Sequence, residues 1–406
     1  VSDVGIILGL VLLLVALGAV ELMLHARALA RIPVRVHVNG TRGKSSVTRL
    51  IAAGLRAGDK RTVAKTTGTL ARIILPDGEE QSLSRPAGPN ILEQLRVIRA
   101  AAAERAEVLV VECMAVQPAL QALSELRIVR STHGVITNAR ADHLDAMGPT
   151  EADVALALAA TTPVRGVLFS SEGRHRAVFE AAARDRESAF VAVGPDEAAA
   201  VGAAELAGFA HLEHPENVAL ALRVCAALGV DRGRALRGMW AAAPDPGALF
   251  EARLERAGAS LIFVSAFAAN DPESTTRVCA LAASRHPEVT TRLALVNCRP
   301  DRPERSTQLG EAAVRWAAFD RFVLVGGGSE LFARAARAAG VPAARLSTPE
   351  ARSAEELFLL LLELAGPSAL IVGVGNIGGL GLELARRFSS AGAAGARSPL
   401  ALEGPS

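Results

Sequence analysis

The period of hydrophobic and polar positions changes several times along the chain, and each change marks an element. Residues 4–24, VGIILGLVLLLVALGAVELML, are apolar on every side and broken only by Glu21 near the end. About 20 such residues suffice to cross a bilayer, so the run predicts one membrane-spanning helix. Asp3 precedes it and His25, Arg27 and Arg31 follow it, an arrangement unlike that of a cleaved leader, and one that predicts a cytoplasmic location for the rest of the chain. From Val34 the period falls to two, with Val34, Val36 and Val38 alternating with Arg35 and His37 as in a strand entering a sheet. After Ser46 it lengthens to that of a helix, and Val47 and Leu50 begin an apolar stripe.

The same exchange of strand and helix continues. EVLVVECM (107–114), HGVITNA (133–139), VRGVLFSS (164–171) and SAFVAVG (188–194) read as buried strands of one sheet. GFAHLEHPENVALALRVCAALGVD (208–231) reads as a loop and a helix ended near Gly229. The Pro/Gly cluster AAAPDPGA (241–248) marks a domain boundary. Beyond it ASLIFVSAF (259–267), RLALVNC (292–298), DRFVLVGGG (320–328) and SALIVGVGN (368–376) predict a smaller parallel sheet of Rossmann type. The expected organisation is a membrane anchor over 1–30, an α/β domain over 31–245, a second over 246–390 and a flexible tail over 391–406. A length of 406 residues suits two such cores, and a net charge of +2 gives no bulk attraction to nucleic acid, so none is expected as a partner. Cys113, Cys225, Cys279 and Cys298 are scattered without metal-ligand spacing, and read as buried thiols in a reducing compartment.

Between the first strand and its helix lies Gly40-Thr41-Arg42-Gly43-Lys44-Ser45-Ser46. Gly40 and Gly43 let the backbone turn tightly and approach an anion, and the first amides of the helix then point at it. In such a loop Lys44 reaches the β/γ-phosphates of a nucleotide and the Ser45 hydroxyl ligates Mg²⁺. Two residues separate the glycines here, where the usual P-loop has four.

Other polar residues end the neighbouring strands. Glu112 closes a very apolar strand, and a carboxylate there shares the sheet edge with the loop and could bind its Mg²⁺; the alternative is a salt-bridged or capping glutamate. ITNARADHLDAMG (136–148) brings Asn138, Asp142, His143 and Asp145 into one short loop, with His143 a candidate ligand for a second metal ion. Thr66, Thr67, Gly68 and Thr69 offer hydroxyls near the phosphates or simply make a turn. Asn217 in HPENVALALRV either reads an adenine edge or caps a helix. GVGNIGGLG (373–381) has dinucleotide-like glycines but no following βαβ unit, so nicotinamide binding is not expected.

Together, GTRGKS, TTGT, the strand ending in Glu112, ITNARADHLDAMG and HPENVALAL resemble the Mur ligase family of ATP-dependent amide ligases, from about Arg35 onward. HVNGTRGKSSVTR has arginine where Mur enzymes usually have asparagine. With SRPAGPNILEQ (84–94), FAANDPEST (267–275), NCRPDRPERSTQLGE (297–311) and GVGNIGGLG, it is most similar to the ligase subunits of poly-γ-glutamate synthases, the membrane-associated enzymes of capsule polymer synthesis. The resemblance implies a P-loop-containing central domain over 31–245 and a Rossmann-like C-terminal domain that closes over the nucleotide and brings the amino acid. It implies ATP and Mg²⁺ as cofactors, Lys44 and Ser45 on phosphates and metal, Glu112 and His143 as metal ligands, and Asn217 on adenine. Arg302 and Arg305 become clamps for a carboxylate or phosphate. Glutamate, the growing chain, the membrane and small membrane subunits are the partners it implies.

The chemistry implied is phosphorylation of a chain-terminal carboxylate by ATP, followed by attack of an incoming amine on the acyl phosphate. The base for that amine is Asp142 or Asp145, since a metal-bound His143 is not available. Two departures stand out. A membrane helix running almost directly into the loop leaves no place for the extra N-terminal domain of Mur enzymes with nucleotide-sugar substrates, so such an acceptor is not expected. EADVALALAATTP (151–163) also lacks the carbamylated lysine that many Mur ligases carry after their Asp-His motif. The competing readings are a folylpolyglutamate-type ligase and a membrane-bound ATPase of polymer assembly or export. An aromatic content of 3% without tyrosine speaks mildly against a pterin site.

Overall fold

The computed structural model describes residues 3–68, 71–85, 88–209, 211, 213–245, 249–256, 259–267, 269, 271–350 and 353–392. The first apolar run forms one unbroken helix, α1 (Asp3–Ala30), whose large side chains from Val4 to Leu24 stay exposed because no face of it is polar enough to define an inside. Only its end is packed: His25, Ala28 and Leu29 are buried, His25 Nε2 lies 2.9 Å from the Ile128 carbonyl, and Glu21 pairs with Arg99. Leu29 and Ile32 join Val63, Val97 and Leu109 in one core cluster.

The chain divides into two compact units, residues 1–208 with 213–243, and 209–212 with 244–406. The first holds β1 (Val34–Asn39), β2 (Thr62–Thr66), β3 (Arg72–Ile74), β4 (Glu80–Ser82), β5 (Val108–Glu112), β6 (His133–Ile136), β7 (Val167–Ser170) and β8 (Ala189–Ala192). They form one sheet in the order β4-β3-β2-β5-β1-β6-β7-β8, parallel except that β3 runs antiparallel to both β2 and β4. Register pairs Val38 with both Glu112 and Val135, and Asn39 with Ile136, so the polar ends of three strands emerge along one edge. Helix α2 (Lys44–Ala57) leaves β1 there, and α3 (Glu93–Ala103) leads into β5. On its buried face α2 meets the helices Pro215–Ala227 and Arg232–Ala241 so closely that a Cβ on Gly54 would stand 2.8 Å from Cys225 Sγ.

The second unit holds β9 (Phe250–Arg256), β10 (Ala259–Ser265), β11 (Thr291–Asn297), β12 (Arg321–Val325), β13 (Leu346–Ser347) and β14 (Ser368–Gly375), in the order β13-β12-β11-β14-β10-β9. This corrects the expectation of an all-parallel sheet, because β9 runs antiparallel to β10. Two residues, 257 and 258, separate these strands in sequence, far too few for the crossover that parallel neighbours need. In FEARLER, Phe250, Ala252 and Leu254 alternate with charges, the signature of an edge strand with one wet face, and its polarity hid it beside the Pro/Gly cluster. All four cysteines are buried and free, and burial pushes the Cys225 thiol up to about 12. The described part of the expected tail, Ala391–Gly392, continues the helix Leu380–Gly392; residues 393–406 lie outside the described residues.

Candidate active site at the carboxyl edge of the first sheet

Gly43 caps α2 in the left-handed conformation, φ 81, and having no side chain it leaves the helix without a side-chain cap. No acidic residue stands in the first turn either, so the amides and the positive end of the helix dipole are not neutralised from within. Gly40 has φ 136, and a Cβ there would stand 2.0 Å from Thr137 Oγ1, so only glycine lets the loop lie against the β6 edge. Thr137 Oγ1 donates to the Arg42 carbonyl at 2.6 Å. Asn138 accepts from Thr41 Oγ1 at 2.6 Å and from the Arg42 amide at 3.0 Å, and donates to the Arg42 carbonyl at 3.1 Å. The loop is thus shaped by the residues that end β6. Lys44 Nζ folds over it, donating to the carbonyls of Gly40 at 2.6 Å and Thr41 at 3.3 Å. That holds an ammonium above the helix amides with one N–H to spare.

Glu112 is 2% exposed and meets the loop directly: its Oε2 accepts from Ser45 Oγ at 2.9 Å and from the Thr67 amide at 2.6 Å. Its Oε1 takes no partner among the described residues. A serine hydroxyl beside a carboxylate with an open oxygen, next to a phosphate loop, is a donor set that fits a hard divalent cation. The Thr66–Thr69 stretch therefore contributes through the Thr67 backbone, while Thr66 is buried at the end of β2 and Thr69 lies outside the described residues.

Asn217 is the third residue of the helix Pro215–Ala227, with His214 at the cap position, so it does not cap. It is 9% exposed, donates to Glu213 Oε1 at 2.9 Å, and turns its Oδ1 toward the loop, 2.7 Å from where a Cβ on Gly43 would be. The loop after β6 carries Asp142 and His143, both half-buried, with His143 at φ 46. Among the described residues no three His, Cys, Asp or Glu side chains converge as a metal cage, and His143 makes no side-chain bond to Ser45 or Glu112. Arg305, half-buried, stands in the first turn of Pro303–Ala312 in the second unit, and Arg302, exposed, precedes that helix.

Several participants escaped the sequence. Lys65 is wholly buried at 0% exposure, 2.6 Å from Glu93 Oε1, and Glu93 in turn takes a two-pronged pair from Arg85 at 2.7 and 2.6 Å. Burial lowers the Lys65 pKa against the opposing pull of Glu93 and, more weakly, Glu112. Gln94 Nε2 donates to the Glu112 carbonyl at 3.3 Å. The segment from Arg85 to Gln94 is thereby tied to the strand that carries Glu112. The one visible signal was a lysine inside the buried strand TVAKT.

Strand, shortened glycine loop, helix and strand-end carboxylate follow one another here as in the Mur ligases. Residues 38–206 match the Mur ligase middle domain, which makes the class that of ATP-dependent ligases. Residues 252–391 match the poly-gamma-glutamate synthase CapB C-terminal domain. The capsule biosynthesis protein CapB of Bacillus anthracis is 36% identical over 368 residues, covering 90% of this chain and 78% of that one. PGA synthase CapB of Bacillus subtilis (strain 168) is 35% identical over 368 residues, covering 90% and 93%. The chain belongs to the CapB family of poly-γ-glutamate synthases, a branch of the Mur ligases. Solved structures with the same fold include FolC of E. coli in complex with DHPP and ADP, TM-score 0.60 at 14% identity, covering 92% of this chain and 93% of that one. Another is the Mycobacterium tuberculosis folylpolyglutamate synthase complexed with ADP and AMPPCP, TM-score 0.62 at 21% identity, covering 91% and 93%. At these identities they show the fold alone.

Proposed function

We propose that this chain polymerises glutamate into poly-γ-glutamate at a membrane, activating a carboxylate with ATP and forming an amide. The observation that carries the reading is the Ser45–Glu112 contact at 2.9 Å beneath an uncapped helix, beside Lys44, in a chain of the poly-γ-glutamate synthase family. Lys44 and the amides of residues 43–46 bind and orient the phosphates, and Asn217, held by Glu213, receives the adenine edge. Mg²⁺ is the cation that suits Ser45 and Glu112, and when bound it neutralises charge developing on the transferred phosphoryl group. The chain-terminal carboxylate attacks the γ-phosphorus, releasing ADP and leaving an acyl phosphate. The amine of the incoming glutamate then displaces phosphate, with Asp142 taking its proton. His143 would be a further ligand for the Mg²⁺ cation, and Arg302 and Arg305 would take a carboxylate or phosphate.

We assign α1 as a single-pass anchor with the catalytic part in the cytoplasm and further small membrane subunits as partners. The reading also takes 31–245 and 246–390 as its two domains. Membranes containing the chain, supplied with ATP and isotope-labelled glutamate, are expected to yield a polymer whose amide bonds run through the side-chain carboxyl by NMR. Labelled glutamate recovered only as monomer, with ATP consumed, would overturn the reading and leave an ATPase.

A further inference from the structure

A cavity of about 340 Å³ opens against the side of α2, within the usual range for small-molecule sites of about 300–1,000 Å³. Arg49, Ala53, Arg56 and Ala57 line it at helical spacing from α2; the β3–β4 hairpin adds Asp77 and Glu80, and Ala242 closes it. Neither Lys44, Ser45, Glu112 nor Asn217 borders it, so it is not the nucleotide site.

Its polar groups are incompletely satisfied. Arg49, 3% exposed, forks onto Glu80, with Nη2 at 3.0 Å from Oε2, and gives Nη1 to the Ala243 carbonyl at 3.2 Å, yet its Nε has no acceptor. The Arg56 carbonyl accepts from the Asp59 amide at 3.0 Å, but the Arg56 side-chain Nη1 is buried without a partner among the described residues. Burial lowers the Arg56 pKa, with Arg49 adding to the effect against Glu80 and Asp77. Buried guanidinium donors without acceptors are costly, and one oxyanion satisfies such donors best. The charge count narrows the anion. Glu80 already balances Arg49, Asp77 stands at the mouth, and Arg56 lies in the last turn of α2, where the helix dipole is negative. These disfavour a multiply charged phosphate and suit a single carboxylate, while the alanines suit a short aliphatic body.

We propose that this cavity is a second binding site, taking the carboxylate of a glutamyl unit at Arg49 and Arg56, from free glutamate or from the chain. The ligand's identity rests on the glutamate reading above; the existence of an anion site does not. The test is calorimetric titration of the full-length chain in lipid nanodiscs, without nucleotide, with L-glutamate, γ-linked triglutamate and inorganic phosphate in turn. A glutamyl ligand is expected to bind wild type and Ser45→Ala alike, and about 10-fold more weakly to Arg56→Met and to the cavity-filling Ala242→Leu. Both cavity variants keep their affinity for a non-hydrolysable ATP analogue; should Arg56→Met lose it by misfolding, Ala242→Leu decides. Binding by free glutamate identifies a substrate-holding site, and binding by triglutamate alone a hold on the chain. Phosphate binding without glutamyl binding, glutamyl binding indifferent to the cavity variants or abolished by Ser45→Ala, or no binding at all would each overturn the proposal. Glutamate-stimulated ADP release is scored separately: its absence beside intact cavity binding removes the polymerase reading and keeps the site, and the converse removes the site alone.

Discussion

Among the glycine-rich turns that join a parallel strand to a helix, those after β1 and β14 differ in what they leave open. After β1, Gly43 leaves α2 uncapped, no carboxylate enters its first turn, and Lys44 lies over the opening. After β14, the turn is closed from within: Asn297 Nδ2 donates to the carbonyls of Asn376 at 2.6 Å and Gly378 at 2.9 Å. A Cβ on Gly381 would stand 2.9 Å from that same nitrogen, and Glu383 places a carboxylate in the first turn of the following helix. Glycines supply the bend in both. What separates them is whether the helix amides and a cation are left open or consumed, so glycine spacing alone is a poor guide to nucleotide binding.

The contrast can be broken from its strong side first. Lys44→Ala should lower glutamate-dependent ADP release about 10²–10³-fold, the usual loss when a preorganised electrostatic donor is removed. Glu112→Gln keeps a hydrogen-bonding group beside Ser45 but removes the charge; a roughly 10–100-fold loss of activity and a higher Mg²⁺ requirement are expected when ADP release is titrated with the metal. Gly40→Ala forces a Cβ into Thr137, and should cost about 1–3 kcal/mol in denaturant unfolding together with nucleotide affinity. Equal stability would show that the loop does not need the β6 edge.

A smaller effect lies in the supporting cluster. Burial works to raise the Glu93 pKa, but Arg85 and Lys65 outweigh it and hold the carboxylate below its ordinary 4.5. A depressed carboxylate stabilises the fold fully above that value, and the contribution fades as pH falls through the folded pKa. The unfolding midpoint of wild type should therefore drop more steeply between about pH 5 and 3 than that of Glu93→Gln; parallel curves would deny the cluster a role. Least of all, Glu383→Gln should leave ATP-analogue affinity unchanged, and a gain there would mean the second turn was a phosphate site held shut by one charge.

The α/β layering was legible because most strands are apolar runs of four to eight residues and the turns are marked by glycine and proline. β9 was not, since its alternation with charge is that of an edge. Within the site, Lys44, Ser45 and Glu112 announced themselves: the first two sit in a recognisable loop, and the third is a charge at the end of the apolar strand VLVVE. Thr137 as the wall behind Gly40 and Glu213 as the holder of Asn217 were invisible, and the Lys65–Glu93–Arg85 cluster was signalled only by a lysine inside a buried strand. Each depends on pairs 4 to 97 residues apart in sequence, such as Asn217 with Glu213 and Thr137 with Gly40, and only register brings the distant ones together. The helix-capping alternative for Asn217 failed because Pro215 took the first helical position and set the cap at His214, three residues before Asn217.

The most direct measurement is ADP release by membranes from cells expressing the chain, with each amino acid added singly, for wild type and Lys44→Ala. The account predicts release stimulated by glutamate and lost in the variant. Release equal with every amino acid, or undiminished by Lys44→Ala, would contradict it.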